Sequence, residues 1–193
     1  MIVTLLNQYD NFKIESSEKF SDRKGEIDRF NFLIDSLKGC FVNSLEMATY
    51  SEDKYAVKLK NEMKKLRYAI CKNLFLVNSN KSQYYLLMLK GHKKFKTKNI
   101  SKQINSSRLS FGSDEKMHEY LDITPGSVSV LGLMNDVKNN VQLLMDQDLL
   151  EDEYLGCHPC INTSSLKIKM KDVFDKILPA INHQAIFVEV QDG

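Results

Sequence analysis

The 193-residue chain has no tryptophan and only three prolines. Its longest apolar stretch, Tyr84 to Leu89, is far shorter than the roughly 20 residues that a bilayer requires. The start, MIVTLLNQYDN, lacks the basic cluster and long apolar segment of a secretory leader, so a cytosolic location is expected. Four cysteines, Cys40, Cys71, Cys157 and Cys160, are too few for a disulfide scaffold at this length, and reduced thiols are expected. Neither a glycine-rich nucleotide loop nor a Gly-x-Ser-x-Gly nucleophile elbow is present. The four histidines, His92, His118, His158 and His183, show no metal-ligand spacing. A zinc hydrolase is disfavoured on that pattern, and no cofactor is implied.

Acidic residues are missing over one long interval. No Asp or Glu lies between Glu62 and Asp114, whereas Lys64, Lys65, Arg67, Lys72, Lys81, Lys90, Lys93, Lys94, Lys96, Lys98, Lys102 and Arg108 do. Acids gather later, at Asp136, Asp146, Asp148, Glu151, Asp152 and Glu153. The net charge of +2 hides this asymmetry. A chain with one basic half suits a polyanion, and Lys90, Lys93, Lys94, Lys96 and Lys98 are the candidate nucleic-acid contacts.

The length and a 42% hydrophobic content suit one compact domain with a short extension. Residues 1–25 are polar and weakly patterned, and read as that extension; residues 26–193 read as the domain. Ile27, Phe30, Leu33, Ile34 and Leu37 recur at helical spacing, and Ser51 is placed to cap a second helix over about 52–67. Strands are expected at Asn73–Val77 and Gln83–Leu89, joined by a turn over 78–82. Further strands are expected at Arg108–Phe111, Val128–Met134, Val141–Met145, Ser165–Ile168 and Ala185–Val190. Helices are expected at Ile100–Asn105, Asp114–Leu121 with Ser113 as its cap, Asp148–Tyr154 and Lys171–Ile181. The mixture predicts an α+β domain around a mixed or mainly antiparallel sheet.

Three segments carry candidate chemistry. Lys72 and Asn73 stand at the entrance of an apolar strand, where a lysine can reach out as a point charge for phosphate. Gly126 and Gly132 bracket a small-residue loop, 126–132, whose backbone N–H groups could approach a ligand oxygen closely. The third, Gly156 to Thr163, holds His158 next to Pro159, which would fix the ring direction, and the pair Cys157-x-x-Cys160. That pair also fits a redox dithiol or half a zinc site. No second pair stands at suitable spacing, and no helix-forming run follows.

In order, the chain carries CKNLFL at 71–76, YYLLML at 84–89, RLSFGS at 108–113, PGSVSVLGLMND at 125–136 and HPCINT at 158–163. This ordered set resembles the YbaK/prolyl-tRNA editing superfamily, in particular its free-standing ProX-like deacylases, from about Ile27 to Val190. The resemblance implies a mixed, barrel-like β-sheet with surrounding helices. It implies metal-independent hydrolysis of a mischarged aminoacyl-tRNA, Ala-tRNA(Pro) in the branch that Lys-Asn-Leu-Phe is most similar to.

Lys72 matches the family's essential lysine, which engages the phosphate or ribose at the tRNA 3′ end, and Asn73 lines the same site. Gly126, Ser127, Val128 and Ser129 match the loop whose backbone faces the scissile ester, with Val130, Leu131 and Gly132 continuing it against the substrate. His158 matches a pocket histidine that shapes amino-acid selection. Val130 stands where the family's loop has proline, and Leu66-Arg67-Tyr68-Ala69 lacks glycines often found there.

The implied partners are an aminoacyl-tRNA and a prolyl-tRNA synthetase, with no membrane. Three other readings stay open: a tRNA-binding or editing domain appended to a prolyl-tRNA synthetase, a deacylase for Cys-tRNA or another small amino acid, and a redox or metal protein using Cys157 and Cys160.

Overall fold

The computed structural model describes residues 46–49, 69–160 and 164–191. The helices expected over 27–37 and 52–67, and the extension over 1–25, lie outside the described residues. Eight strands are described: β1 (Glu46–Thr49), β2 (Ala69–Asn78), β3 (Tyr84–Lys90), β4 (Leu109–Phe111), β5 (Val141–Asp146), β6 (Tyr154–Cys157), β7 (Ser164–Lys169) and β8 (Ala185–Val188). They join in the order β1-β7-β6-β2-β3-β5-β8, with β4 added beside β2. Parallel and antiparallel pairs are mixed, and β1 and β8 end the order, so the described residues form an open sheet and no closed barrel.

Sheet order follows burial. β3 sits between β2 and β5. Leu86, Leu87, Met88 and Leu89 are all fully buried, so this strand is covered on both faces and reads as an unbroken apolar run. Alternate residues feed two cores. Phe75, Val77, Leu86, Met88, Leu143 and Met145 pack on one face of the sheet; Leu76, Tyr85, Leu87, Leu89 and Leu144 pack on the other. Each buried leucine contributes about 1.5–3 kcal/mol.

The hairpin between β2 and β3 is held by Asn78, whose Oδ1 accepts from the Ser82 and Gln83 amides at 2.9 and 3.1 Å. Two helices pack beside the sheet, α1 (Thr97–Gln103) and α2 (Asp114–Leu121). The Ser113 hydroxyl accepts from the Lys116 amide at 3.3 Å, and Asp114 and Glu115 favour the positive end of the α2 dipole. Tyr84 meets Tyr120 of α2 edge-on at 5.1 Å and stacks with Phe75 at 5.5 Å, which docks α2 on the first core.

Three expected elements change. Val128–Met134 is not a strand. Thr124 to Ser127 forms a turn with Pro125 second and Gly126 at φ 87°, and a 3₁₀ turn follows over Val130–Asn135. Ser129 caps it: its hydroxyl accepts from the Leu131 amide at 3.2 Å and its carbonyl from the Gly132 amide at 3.1 Å. The alternating Val128 and Val130 mimic a strand, but Val130 to Leu133 are buried without alternation.

The helix expected over 148–154 is a short 3₁₀ turn, Gln147–Glu151, followed by β6. The helix expected over 171–181 is α3 (Met170–Asp172) and α4 (Leu178–Ala180) with a π-turn, Val173–Ile177, between them. Pro179 lacks the N–H that regular winding needs, which accounts for the loosened turn ahead of it.

Gly132 is fully packed. A Cβ there would lie 2.2 Å from Ile123 Cδ1 and 3.3 Å from Leu121 Cβ, both buried residues. Gly132→Ala is therefore expected to destabilise the domain by about 1–3 kcal/mol in urea denaturation. A change below about 0.5 kcal/mol would contradict this packing.

Candidate functional site

β2 has two different neighbours on one edge. Ala69 and Ile70 pair with Leu155 and Gly156 of β6, while Leu76, Val77 and Asn78 pair with β4. Among the described residues no strand pairs with Cys71 to Phe75 on that edge, although the Phe75 carbonyl accepts from the Gly112 amide at 2.9 Å. Lys72 and Asn73 occupy this opening.

Alternation along β2 sends the two side chains to opposite faces. Cys71 packs on the first core with Phe75, and Leu74 packs on the second with Leu76. Asn73 therefore faces the side of the first core. Among the described residues its buried Oδ1 has no hydrogen-bond partner, so this acceptor oxygen is open to a donor. Lys72 faces the other way, and its ammonium donates to the Lys93 carbonyl at 2.7 Å. Lys72 and Asn73 thus straddle the strand, one on each face.

The small-residue loop does reach the Asn73 side. Ser129 is fully buried, and its hydroxyl, already accepting from Leu131, lies beside the Cys157 thiol. Cys157 in turn lies beside Cys71, its neighbour in the β6–β2 alignment after Ile70↔Gly156. Side chains from three separate segments thus meet: Cys71, Ser129 and Cys157. Gly126 is exposed, Ser127 and Val130 are buried, and Val128 is half-buried against the core. Leu131 and Gly132 are buried, with their amides spent on Ser129. His158 is half-buried just past the end of β6, not after a helix.

Cys157 and Cys160 are buried thiols, in no disulfide among the described residues. Burial pushes the Cys157 thiol up to about 12, against a smaller opposing pull from Ser129. Burial also pushes the Cys71 thiol far up, with Cys157 and Asp152 adding to it and Lys90 opposing. Such protonated thiols are poor nucleophiles. No group of three His, Cys, Asp or Glu among the described residues is placed to hold a metal.

The lysines divide. Lys93 is only 4% exposed and forms ion pairs with Asp146 at 2.8 Å and Asp148 at 2.6 Å. Burial would lower its pKa, but the bonds to Asp146 and Asp148 outweigh that and raise it, so it stays charged. Lys90 is paired with Glu151 at 3.1 Å and Asp152 at 3.3 Å. Neither faces a polyanion freely, which corrects the expectation for Lys93 outright. Lys94, Lys96 and Lys98 are exposed on the loop and the start of α1. This basic run follows directly on the residue whose carbonyl holds Lys72.

A groove of about 370 Å³ lies elsewhere, lined by Phe174, Leu178, His183, Ala185 and Phe187 at the β8 edge. It shares no residue with the three converging segments. No helix among the described residues is long and apolar enough to cross a membrane.

Residues 54–176 match the family model of the aminoacyl-tRNA editing domain. The chain is 32% identical to the prolyl-tRNA editing protein ProX of Acetoanaerobium sticklandii, over 58% of this chain and 67% of that protein. It is 28% identical to the prolyl-tRNA synthetase associated domain-containing protein 1 of Mus musculus, over 64% of this chain and 74% of that protein. A solved structure of a candidate trans-editing enzyme for prolyl-tRNA synthetase superposes with a TM-score of 0.64, covering 86% of this chain and 98% of that one. At 14% identity that likeness speaks to the fold alone.

The buried Cys157 thiol and the half-buried Cys71 thiol give a test with a defined sign. Their folded pKa values lie above the ordinary 9.0, so the folded state keeps protons that the unfolded state loses. Their contribution to stability is complete below about pH 9 and fades as the pH rises toward about 12. At about pH 8, an aromatic disulfide reagent should leave Cys71 and Cys157 unmodified in the native protein and label both in guanidinium, read by peptide mass. Rapid labelling of either in the native protein would contradict the described burial.

Proposed function

The chain belongs to the aminoacyl-tRNA editing domain family, and from that premise we propose that it hydrolyses mischarged Ala-tRNA(Pro) in the cytosol, acting in trans beside a prolyl-tRNA synthetase. The observation that carries this reading is the open stretch of β2, which offers a different chemistry on each face. Asn73, the Ser127–Leu131 loop and His158 form the acyl side. Lys72, backed by Lys94, Lys96 and Lys98, forms the nucleotide side. A 3′-terminal adenosine crossing the strand edge would meet the ammonium on one side while its ester lies on the other.

The reaction asks little of the protein. An aminoacyl ester is already activated, and water adds to its carbonyl. The C–O bond to the ribose then breaks, releasing the amino acid and a free tRNA hydroxyl. Backbone N–H groups of the 128–130 segment stabilise the oxyanion, a contribution of about 3–4 kcal/mol where such donors have been removed. The neighbouring ribose hydroxyl orients the water. No thiol takes part, consistent with the protonated state of Cys71 and Cys157.

Selection is steric. A synthetase pocket built for proline rejects smaller alanine weakly, since one methylene is worth about 1–3 kcal/mol. A second pocket, too small for proline, spares the correct product. The buried Oδ1 of Asn73 suits the α-ammonium that every aminoacyl ester carries, and His158 sorts the side chain.

Lys72→Ala is expected to slow alanine release about 100-fold with the fold retained, since a misplaced 3′ end costs that much; full activity would exclude the nucleotide-anchoring role. A panel of misacylated tRNAs should show Ala-tRNA(Pro) as the preferred substrate, and His158→Ala should change the order of preference more than the best rate. Preference for cysteinyl or threonyl esters in the wild type would replace the alanine assignment. Reversing the charge of Lys94, Lys96 and Lys98 together should weaken tRNA binding and flatten its salt dependence. Unchanged salt dependence would move the tRNA to another face.

A further inference from the structure

We propose that Lys93 is the positioning residue for Lys72, the device that holds the 3′-end lysine in place. The effect on rate rests on the reading of Lys72 given above; the hydrogen bond itself does not.

Residue 93 is fixed from three directions. Its amide donates to the Lys90 carbonyl at 3.0 Å, closing the turn after β3. Its ammonium reaches Asp146 at the end of β5, Asp148 in the following turn, and the Val190 carbonyl beyond β8 at 2.7 Å. Asp146 is itself held, with Oδ1 accepting from the Val190 amide at 3.2 Å. A lysine this buried is rare unless paired, and here the ammonium lies within 2.8 Å of three oxygens. What remains of the residue is its carbonyl oxygen, and that oxygen accepts from Lys72 Nζ at 2.7 Å.

The consequence lies in what an unheld lysine does. Its four-carbon stem rotates freely, and an ammonium without a fixed acceptor samples many positions. Among the described residues Lys93 O is the partner of Lys72 Nζ. One of three N–H donors is used to fix direction, and two remain for phosphate or ribose oxygens. Through Lys93, the ends of β3, β5 and β8 all bear on the aim of a side chain from β2. Its charge in the interior thus serves the site without touching the substrate.

The test uses the whole chain, specifically ¹⁵N-labelled. In the wild type at low temperature, the Lys72 ζ-ammonium should give a cross-peak protected from exchange, assigned by its absence in Lys72→Arg. In Lys93→Met that peak should vanish. Single-turnover deacylation should fall about tenfold or more, while the Kd for tRNA weakens less than about threefold, the pattern of a group acting in the transition state. Should Lys93→Met fail to fold, Asp148→Asn removes the half-exposed partner alone; it should weaken the peak and slow the reaction about threefold.

A folded variant that keeps the Lys72 peak overturns the inference, whatever its rate. A lost peak with the rate intact supports the positioning by Lys93 and contradicts the anchoring role of Lys72.

Discussion

β2 must serve two neighbours on one edge, and the molecule is arranged around the interval between them. β6 takes the first two residues of the strand and β4 the last three. In between, a central strand presents an edge that no described strand covers. The rest of the sheet makes this tolerable. β3 pairs β2 along its other edge from Cys71 to Val77, and both faces of β3 are buried. The opening is therefore built beside a strand buried on both faces, which suits a site that must hold a substrate in register.

A strand edge separates two faces by construction, because successive side chains alternate. Lys72 and Asn73 are consecutive, so their side chains leave the strand on opposite faces. They can share a ligand that crosses the edge. The terminal nucleotide of an aminoacyl-tRNA is such a ligand: anionic at one end and, at the other, an ester carrying a cationic amine. The basic run 94–98 lies on from the Lys72 side, and the small-residue loop packs on the Asn73 side through Ser129 and Cys157. The buried thiols contribute shape. Burial holds them protonated, which makes them poor nucleophiles.

Much of this was legible in the sequence because it rests on local chemistry. The apolar run at 84–89, the Asn78 turn and the Ser113 cap each announce their element, and the ordered segments from Lys72 to His158 identify the family. Three things were not legible. The 128–134 segment alternates like a strand, and only the packing of Gly132 against Ile123 and the cap at Ser129 make it a tight turn. The acids after Asp146 read as a helix, yet they are drawn to Lys90 and Lys93 and leave Tyr154 free to start β6. The same pairing hides in the charge pattern. The basic interval and the acidic cluster look like separate surfaces, and in the fold part of each neutralises the other. A burial pattern set by residues some fifty positions apart leaves no mark on either stretch alone.

The central claim is that one ligand occupies both sides of the β2 opening. Titrating the labelled protein with a non-hydrolysable alanyl-adenosine, amide-linked at the 3′ position, tests it most directly. The amide resonances of Asn73, Ser129, Cys157 and His158 should move together with those of Lys72 and Lys93, along a single saturating curve. Shifts confined to Phe174, His183 and Phe187 beside the β8 groove, with the β2 opening silent, would contradict the account.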